Sequence, residues 1–116
     1  MILSGAGLSA ESGIKTFRDH DGLWEGYDVM EVCSTQGWIE DRKKVTNFYN
    51  DRRADLESKK PNHAHKVLAQ LEMDYRGRVL HLTQNIDDLM EKAGAKDVVH
   101  LHGILTHLQR EMLWMR

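Results

Sequence analysis

Directly after the apolar tripeptide Met1-Ile2-Leu3, residues 4–18 read Ser-Gly-Ala-Gly-Leu-Ser-Ala-Glu-Ser-Gly-Ile-Lys-Thr-Phe-Arg. A segment of this kind is expected where a short buried strand hands over to a helix. Glycine has no Cβ, so Gly5 and Gly7 let the backbone turn tightly and come within hydrogen-bond reach of a ligand. Ser9 and Ser12 add hydroxyl donors. A helix starting near Ser9 would aim its unpaired N–H groups and its positive dipole end at the same point, which suits phosphate. The spacing is not that of the common dinucleotide fingerprint, whose third glycine lies three residues after the second, where this chain has Ala10. On the local pattern alone, a generic glycine-rich turn is the open alternative.

The rest of the composition fits one ordinary domain: 116 residues, 41% hydrophobic and 29% charged. A net charge of −2 argues against the clustered basic face of a duplex-DNA binder, although seven histidines can turn the balance positive in mild acid. No apolar run reaches the length of a membrane span, and Met1-Ile2-Leu3 ends at once in Ser4-Gly5, unlike a signal peptide. A cytoplasmic protein with no direct nucleic-acid or membrane partner is the expectation. Cys33, the single cysteine, cannot form an internal disulfide.

Along the chain, the periodicity predicts a buried strand over residues 1–4, a helical turn or two over 9–13, and a loop to about Cys33 that can fold over a ligand. Ser34 or Thr35 can cap a helix before Trp38-Ile39. A longer helix over 41–58 carries Val45, Phe48, Tyr49, Arg52 and Leu56 at helical spacings and ends at Lys59-Lys60-Pro61. Asn62 caps a helix with Ala64, Val67, Leu68 and Leu71 on its buried face. A strand over 79–83, a helix over 86–93 closed by Gly94 and a strand over 98–101 follow. Strands alternating with helices predict a parallel α/β sheet with ligands at the carboxyl ends of the strands, where Gly5, Gln84 and His102 all fall. There is no internal repeat, linker or low-complexity tract.

Three ordered segments carry a resemblance. Gly-Ala-Gly-Leu-Ser-Ala-Glu-Ser-Gly-Ile-Lys-Thr-Phe-Arg (5–18), Thr83-Gln84-Asn85-Ile86-Asp87 and Leu101-His102-Gly103 resemble the nucleotide signature, the TQNID segment and the HG segment of the sirtuins, NAD-dependent protein lysine deacylases. The resemblance spans the chain from its start to about Leu105. It implies a Rossmann-like sheet and NAD as a consumed co-substrate. The acyl-lysine carbonyl attacks the nicotinamide ribose, nicotinamide leaves, and a general base activates the ribose hydroxyl that takes the acyl group. His102 matches that base; neutral imidazole is plentiful near pH 7, its ordinary pKa being about 6.5. As an isolated residue it reads more readily as a strand histidine satisfied by a carbonyl, the reading kept for the other six; Gly103 and the upstream Thr83 to Asp87 segment reverse that preference here.

For the cofactor, the resemblance implies Gly5, Ala6, Gly7, Ser9, Ser12, Gly13 and Ile14 in the glycine loop, then Phe17, Arg18 and Trp24. Gln84, Asn85, Ile86 and Asp87 match positions at the nicotinamide and its ribose. A carboxamide needs a donor and an acceptor, both present in Asn85, and Asp87 can accept from an amide. Asn85 and Asp87 also read as capping residues, Arg18 as a solvated loop charge and Phe17 as core. Tyr49 and Arg52 share a helix face at i and i+3 and resemble the Tyr-x-x-Arg pair of sirtuins that take acidic acyl-lysines, where a guanidinium can grip a carboxylate. Their alternative is a surface helix with Arg52 or Arg53 paired to Asp51, Asp55 or Glu57.

In the family, the HG segment is followed by a four-cysteine structural zinc module and the second half of the Rossmann domain. This chain has neither, and Cys33 alone cannot make a tetrahedral zinc site; no metal ligand is assigned. The expectation is therefore a partial Rossmann-like sheet with flanking helices over residues 1–105, the zinc module and C-terminal half missing. Residues 106–116 are expected to form an unmatched tail; after Gly103, Ile104, Leu108, Met112 and Met115 have helical spacing. The expected function is deacylation of acyl-lysine proteins; the alternative is an inactive partial domain that binds nucleotide weakly or self-associates.

Overall fold

In chain order the protein forms β1 (Ile2–Ser4), α1 (Gly7–Ala10), β2 (Leu23–Trp24), β3 (Tyr27–Asp28), α2 (Val29–Val32) and α3 (Thr35–Glu40). There follow α4 (Arg42–Glu57), α5 (His63–Asp74), β4 (His81–Thr83), α6 (Leu89–Lys92) and β5 (Val98–His100). This is a computed structural model, and it describes residues 1–16 and 23–107. The proposed tail helix beyond residue 107, and Arg18 to Gly22 of the proposed loop, lie outside the described residues.

The strands β1, β4 and β5 pair in that order as a parallel sheet, as the alternation of strand and helix requires. Register places Leu3, Leu82 and Val99 side by side in one row, with Ile2, His81 and Val98 beside them in the next. Because successive strand residues point to opposite faces, the two rows have different fates. His81 and Thr83 are buried under the helices, and Val98 packs with Met90, Ala95, Ala69 and Leu8. Leu3 and Val99 stay 62% and 43% exposed on the other face. The expected buried strand at 1–4 is thus covered on one side only.

The buried side of α5 is rotated from the expected one. Ala64, Val67 and Leu71 face solvent, while His65 and Ala69 are buried and Leu68 half-buried. The buried stripe runs His65, Leu68, Ala69, Glu72, a helical i, i+3, i+4, i+7 set with polar ends. Those ends are admitted because they are bonded. Asn62 caps the helix by accepting from Ala64 and His65 N–H, and its own N–H donates to His65 Nδ1. At the other end the Glu72 carboxylate accepts the Lys96 and Asp97 N–H groups and lies 3.1 Å from His81 Nε2, tying α5 to the start of β5.

Two further differences have local causes. The expected loop to Cys33 contains a two-residue hairpin, Trp24 pairing with Tyr27 across Glu25-Gly26. Both turn residues have positive φ, 50° and 83°, the conformation that matches hairpin twist and that glycine adopts without strain. The helix expected from Ile86 begins only at Leu89, because the Asp87 carboxylate accepts the Leu89 N–H and the Asn85 N–H is taken by Thr83 Oγ1. By contrast α4 follows expectation: Asp41 caps it through Lys44 N–H, and Val45, Phe48 and Leu56 are buried. Trp24, Val32 and Phe48 form one cluster beneath the hairpin; Leu56, Leu89 and Leu105 form another under α4.

The packing of α3 on α2 depends on Gly37, whose N–H is held by the capping Ser34 hydroxyl. A Cβ at Gly37 would stand 2.2 Å from the Glu31 carbonyl oxygen, backbone that has no rotamer to give. Gly37→Ala is expected to lower stability by about 1–3 kcal/mol, the usual range for overpacking, read as a lower urea midpoint with little change in m-value.

Candidate functional site

A cleft of about 1000 Å³ opens where the carboxyl ends of the parallel strands meet α4. Ala6, Ser9 and Ile14 enter it from the segment after β1, and Gln84, Asn85, Ile86 and Asp87 from the loop after β4. His102 comes from the exit of β5, Tyr49 and Arg52 from α4, and Trp24 from the hairpin. Loops far apart in sequence therefore converge, as expected for a parallel sheet. Gly5, Gly7, Ser12 and Gly13 are not among the residues lining it, and Phe17 and Arg18 lie outside the described residues.

The glycine loop is built differently from the local expectation. α1 starts at Gly7 and is only four residues long, and the positive φ belongs to Gly13, at 90°, while Gly5 and Gly7 lie outside that region. Gly5 serves the loop with its carbonyl, which accepts from Asn85 Nδ2 at 3.0 Å. Ser9 is 1% exposed and its hydroxyl is committed inward: it donates to Asp87 Oδ2 at 2.8 Å and lies 3.3 Å from His65 Nε2. His65 Nδ1 accepts the Asn62 N–H at 3.1 Å, so the ring proton sits on Nε2 and is donated to Ser9. The Asn62 amide then donates to the Leu8 carbonyl and to Ser12 Oγ. Asp87 is thus bonded at both oxygens, and Asn85 keeps its side-chain carbonyl for another partner.

His102 is exposed at the cleft rim and its ring has no hydrogen-bond partner among the described residues. It follows β5 and precedes Gly103, whose φ of 85° turns the chain away. An imidazole so placed is free to take a proton. Behind it, Leu105 N–H donates to the Ile86 carbonyl and Arg53 Nε to the Leu105 carbonyl, fixing the segment after His102 to the loop after β4 and to α4.

On α4, the Tyr49 ring makes edge contacts with Phe48 and Trp24 at 5.2 and 5.9 Å. Burial, reinforced by the Cys33 thiol beside it, pushes the Tyr49 phenol above its ordinary range, so it is a neutral donor at any working pH. Arg52 lies 4.9 Å from the Phe48 ring centroid. Its Nε and Nη1 are buried without a hydrogen-bond partner among the described residues, and the nearest carboxylate oxygen, on Glu25, is 3.8 Å away. The surface-helix pairings do not form, since Asp55 pairs with Lys59 and Arg53 with Asn50. A guanidinium whose buried nitrogens lack hydrogen bonds, held only by a long ion pair to Glu25, is costly unless a ligand completes it. No group of three or more metal-binding side chains occurs among the described residues, and a four-cysteine zinc site does not fit a chain whose one cysteine is Cys33.

Sequence alone gives His65 and His100 no role beyond that of ordinary satisfied histidines. His65 is buried under the glycine loop, and His100 lines the cleft. The only sequence signal for His100 is its place two residues before His102, although β5 ends at His100 and His102 lies in the turn beyond it; nothing marks His65 apart from the Asn62 cap three residues before it.

Residues 5–110 match the Sir2 family. The chain is 62% identical over 109 residues to an NAD-dependent protein deacylase of Campylobacter jejuni, covering 94% of this chain and 47% of that protein. A second NAD-dependent protein deacylase, from Helicobacter pylori, is 57% identical over 111 residues, 96% of this chain and 48% of that one. Among solved structures, a Sir2 homologue in complex with NAD superposes with a TM-score of 0.78 at 45% identity, over 89% of this chain and 40% of its own. A mutant Sir2 homologue in complex with ADP-ribose gives 0.80 at 45% identity, over 89% and 41%. The chain spans about half the length of the curated relatives it matches, at 47% and 48%. It belongs to the Sir2 family, and its sheet is the Rossmann-like arrangement of that family.

Burial holds His65 below the ordinary imidazole range, partly offset by the Asp87 carboxylate. A histidine whose folded pKa is depressed stays neutral while the unfolded chain takes up a proton, so stability is complete above the unfolded value and falls below it. Unfolding free energy should therefore decline as pH drops below about 6.5, with a slope contribution of at most about 1.4 kcal/mol per pH unit. Urea titrations across that range, repeated on His65→Gln, check this: the variant should lose about one proton's worth of slope.

Proposed function

We propose that this member of the Sir2 family is the N-terminal part, residues 1–105, of an NAD-dependent protein lysine deacylase. Its reaction moves an acyl group from lysine to ADP-ribose and releases nicotinamide. The observation that carries the reading is the convergence of the glycine loop, the Gln84 to Asp87 loop and an unencumbered His102 on one cleft beside Arg52. NAD enters as a co-substrate held by the glycine loop residues Gly5 to Gly7, Ser9 and Ser12 to Ile14, with Phe17, Arg18 and Trp24. Gln84, Asn85, Ile86 and Asp87 serve its nicotinamide half. When bound, it supplies the electrophilic ribose carbon and a good leaving group.

His102 acts as the general base. Its replacement, His102→Ala, in the protein at its full natural length should leave NAD affinity nearly intact and cut deacylation by about 10²–10⁴. Calorimetry and a coupled nicotinamide-release assay distinguish the two effects, and unchanged turnover would remove His102 from the chemistry.

Tyr49 and Arg52 set acyl preference. Nε and Nη1 of Arg52, buried without a hydrogen bond and with only a 3.8 Å ion pair to Glu25, suit a carboxylate-bearing acyl group such as succinyl or malonyl, with acetyl as a poorer fit. Arg52→Met should lower kcat/KM for succinyl-lysine peptide by about 10–100-fold more than for acetyl-lysine peptide, the equivalent of a lost charge-assisted bond of roughly 1.5–3 kcal/mol. Equal losses on both peptides would assign Arg52 to the fold alone.

The partners in this reading are acyl-lysine proteins of the cytoplasm, with no nucleic acid or membrane; no helix among the described residues is long and apolar enough to cross a membrane. A second reading rests on length. Because the chain spans 47% of its Campylobacter relative, it can instead be a partial domain that binds nucleotide weakly and does not turn over. Nicotinamide release from NAD and acyl-lysine peptide by the chain itself separates the two.

A further inference from the structure

The ring of His100 bridges both ends of the loop that follows β4. Its Nδ1 lies 2.8 Å from the backbone carbonyl oxygen of Asn85, and its Nε2 lies 2.6 Å from Glu91 Oε1 on α6. A carbonyl only accepts, so Nδ1–H is the donor there. The carboxylate is an acceptor too, so the short second contact is a hydrogen bond between ring and carboxyl that pairs His100 with Glu91. The arrangement is sheltered, the His100 side chain being 11% exposed. Glu91 Oε2 is buried and has no other hydrogen-bond partner among the described residues, so His100 is the group that steadies this carboxylate.

The Asn85 side is equally constrained. Its N–H is held by Thr83 Oγ1 and its Nδ2 by the Gly5 carbonyl, both at 3.0 Å. With His100 on its carbonyl, the peptide on either side of Asn85 is fixed from three directions. Residues 85 and 91 close onto one imidazole, and that imidazole sits two positions before His102 on the same strand exit.

We propose that His100, anchored by Glu91, is a positioning residue that holds the Asn85 peptide and so keeps the nicotinamide-side loop in register with His102. The proposal rests on the deacylase reading for what the loop binds, but not for the clamp itself. His100 touches no reacting atom; it acts through Asn85. Its loss should therefore fall on the nicotinamide end of the site and spare the ADP-ribose end, which the glycine loop carries.

The test compares His100→Ala, His100→Asn and Glu91→Gln with the parent. Asparagine places an N–H donor where Nδ1 stood and so retains the bond to the Asn85 carbonyl, while Gln at 91 retains an oxygen acceptor without the charge. Hydrogen exchange over residues 84–90 should speed up by about tenfold or more in His100→Ala, as expected when a local clamp is released. In the protein at its full natural length, nicotinamide base exchange should fall by about 10–100-fold in His100→Ala while the ADP-ribose Kd stays within about twofold, a split that a general loss of folding would not produce. His100→Asn should recover most of both readouts, and Glu91→Gln should fall between Asn and Ala. Equal losses for ADP-ribose and nicotinamide, or an Asn variant no better than Ala, would overturn the proposal. If His100→Ala does not fold, the order of the parent, Asn and Gln variants decides. If the parent neither binds ADP-ribose nor exchanges nicotinamide, the deacylase reading falls, and the exchange rates of residues 84–90 alone judge the clamp.

Discussion

The hydroxyl of Ser9 is the point on which the rest of the molecule hangs. It receives the His65 Nε2 proton and gives its own to Asp87, with all three side chains at or below 8% exposure. The direction of this chain is forced, because the Asn62 N–H occupies Nδ1 and leaves Nε2 as the donor. Three separate pieces, α1, α5 and the loop after β4, are thereby fixed to one another through polar contacts that water cannot replace. Breaking any one link leaves a buried polar group unsatisfied, at a cost of about 1–3 kcal/mol, a large share of the stability of a small domain.

Buried polarity of this kind explains why the apolar stripe of α5 does not define its inner face. His65 and Glu72 displace Ala64 and Leu71 from the interior because each meets fixed backbone or side-chain partners there, whereas a leucine would leave those partners orphaned. The same logic makes the cleft a site. Asp87 and Ser9 are engaged and hold shape, while the Asn85 side-chain carbonyl, His102 and the Arg52 nitrogens that lack hydrogen bonds keep capacity to spare. Rigid support behind a few unspent groups is how a preorganised site differs from a polar groove.

The sheet is asymmetric. One face is sealed by α5 and α6, and the other carries the row Leu3, Leu82 and Val99, with Leu3 and Val99 well exposed. Parallel sheets are ordinarily covered on both faces. The relatives at 62% and 57% identity are about twice as long as this chain, so the half of the fold described here is the half that brings together the glycine loop, the loop after β4 and His102.

Read by itself, the sequence determined the class of fold, the order of the three parallel strands and the helices between them outside the stretch before Cys33, and the three segments that meet at the strand ends. These are local or periodic properties: Asp41 and Asn62 cap helices wherever they precede one, and alternating strand and helix leads to a parallel sheet. Tertiary structure alone decided that Ser9 points inward, that Ile86 and Asp87 stay out of α6, that Arg52 Nε and Nη1 are buried without hydrogen bonds, that His65 lies beneath the glycine loop and that His100 lines the cleft. The reason is range. Each of those outcomes depends on a partner far away in the chain, such as Asp87 for Ser9 or the Asn85 carbonyl for His100, and a residue's own neighbours carry no record of who will stand beside it once the chain has folded.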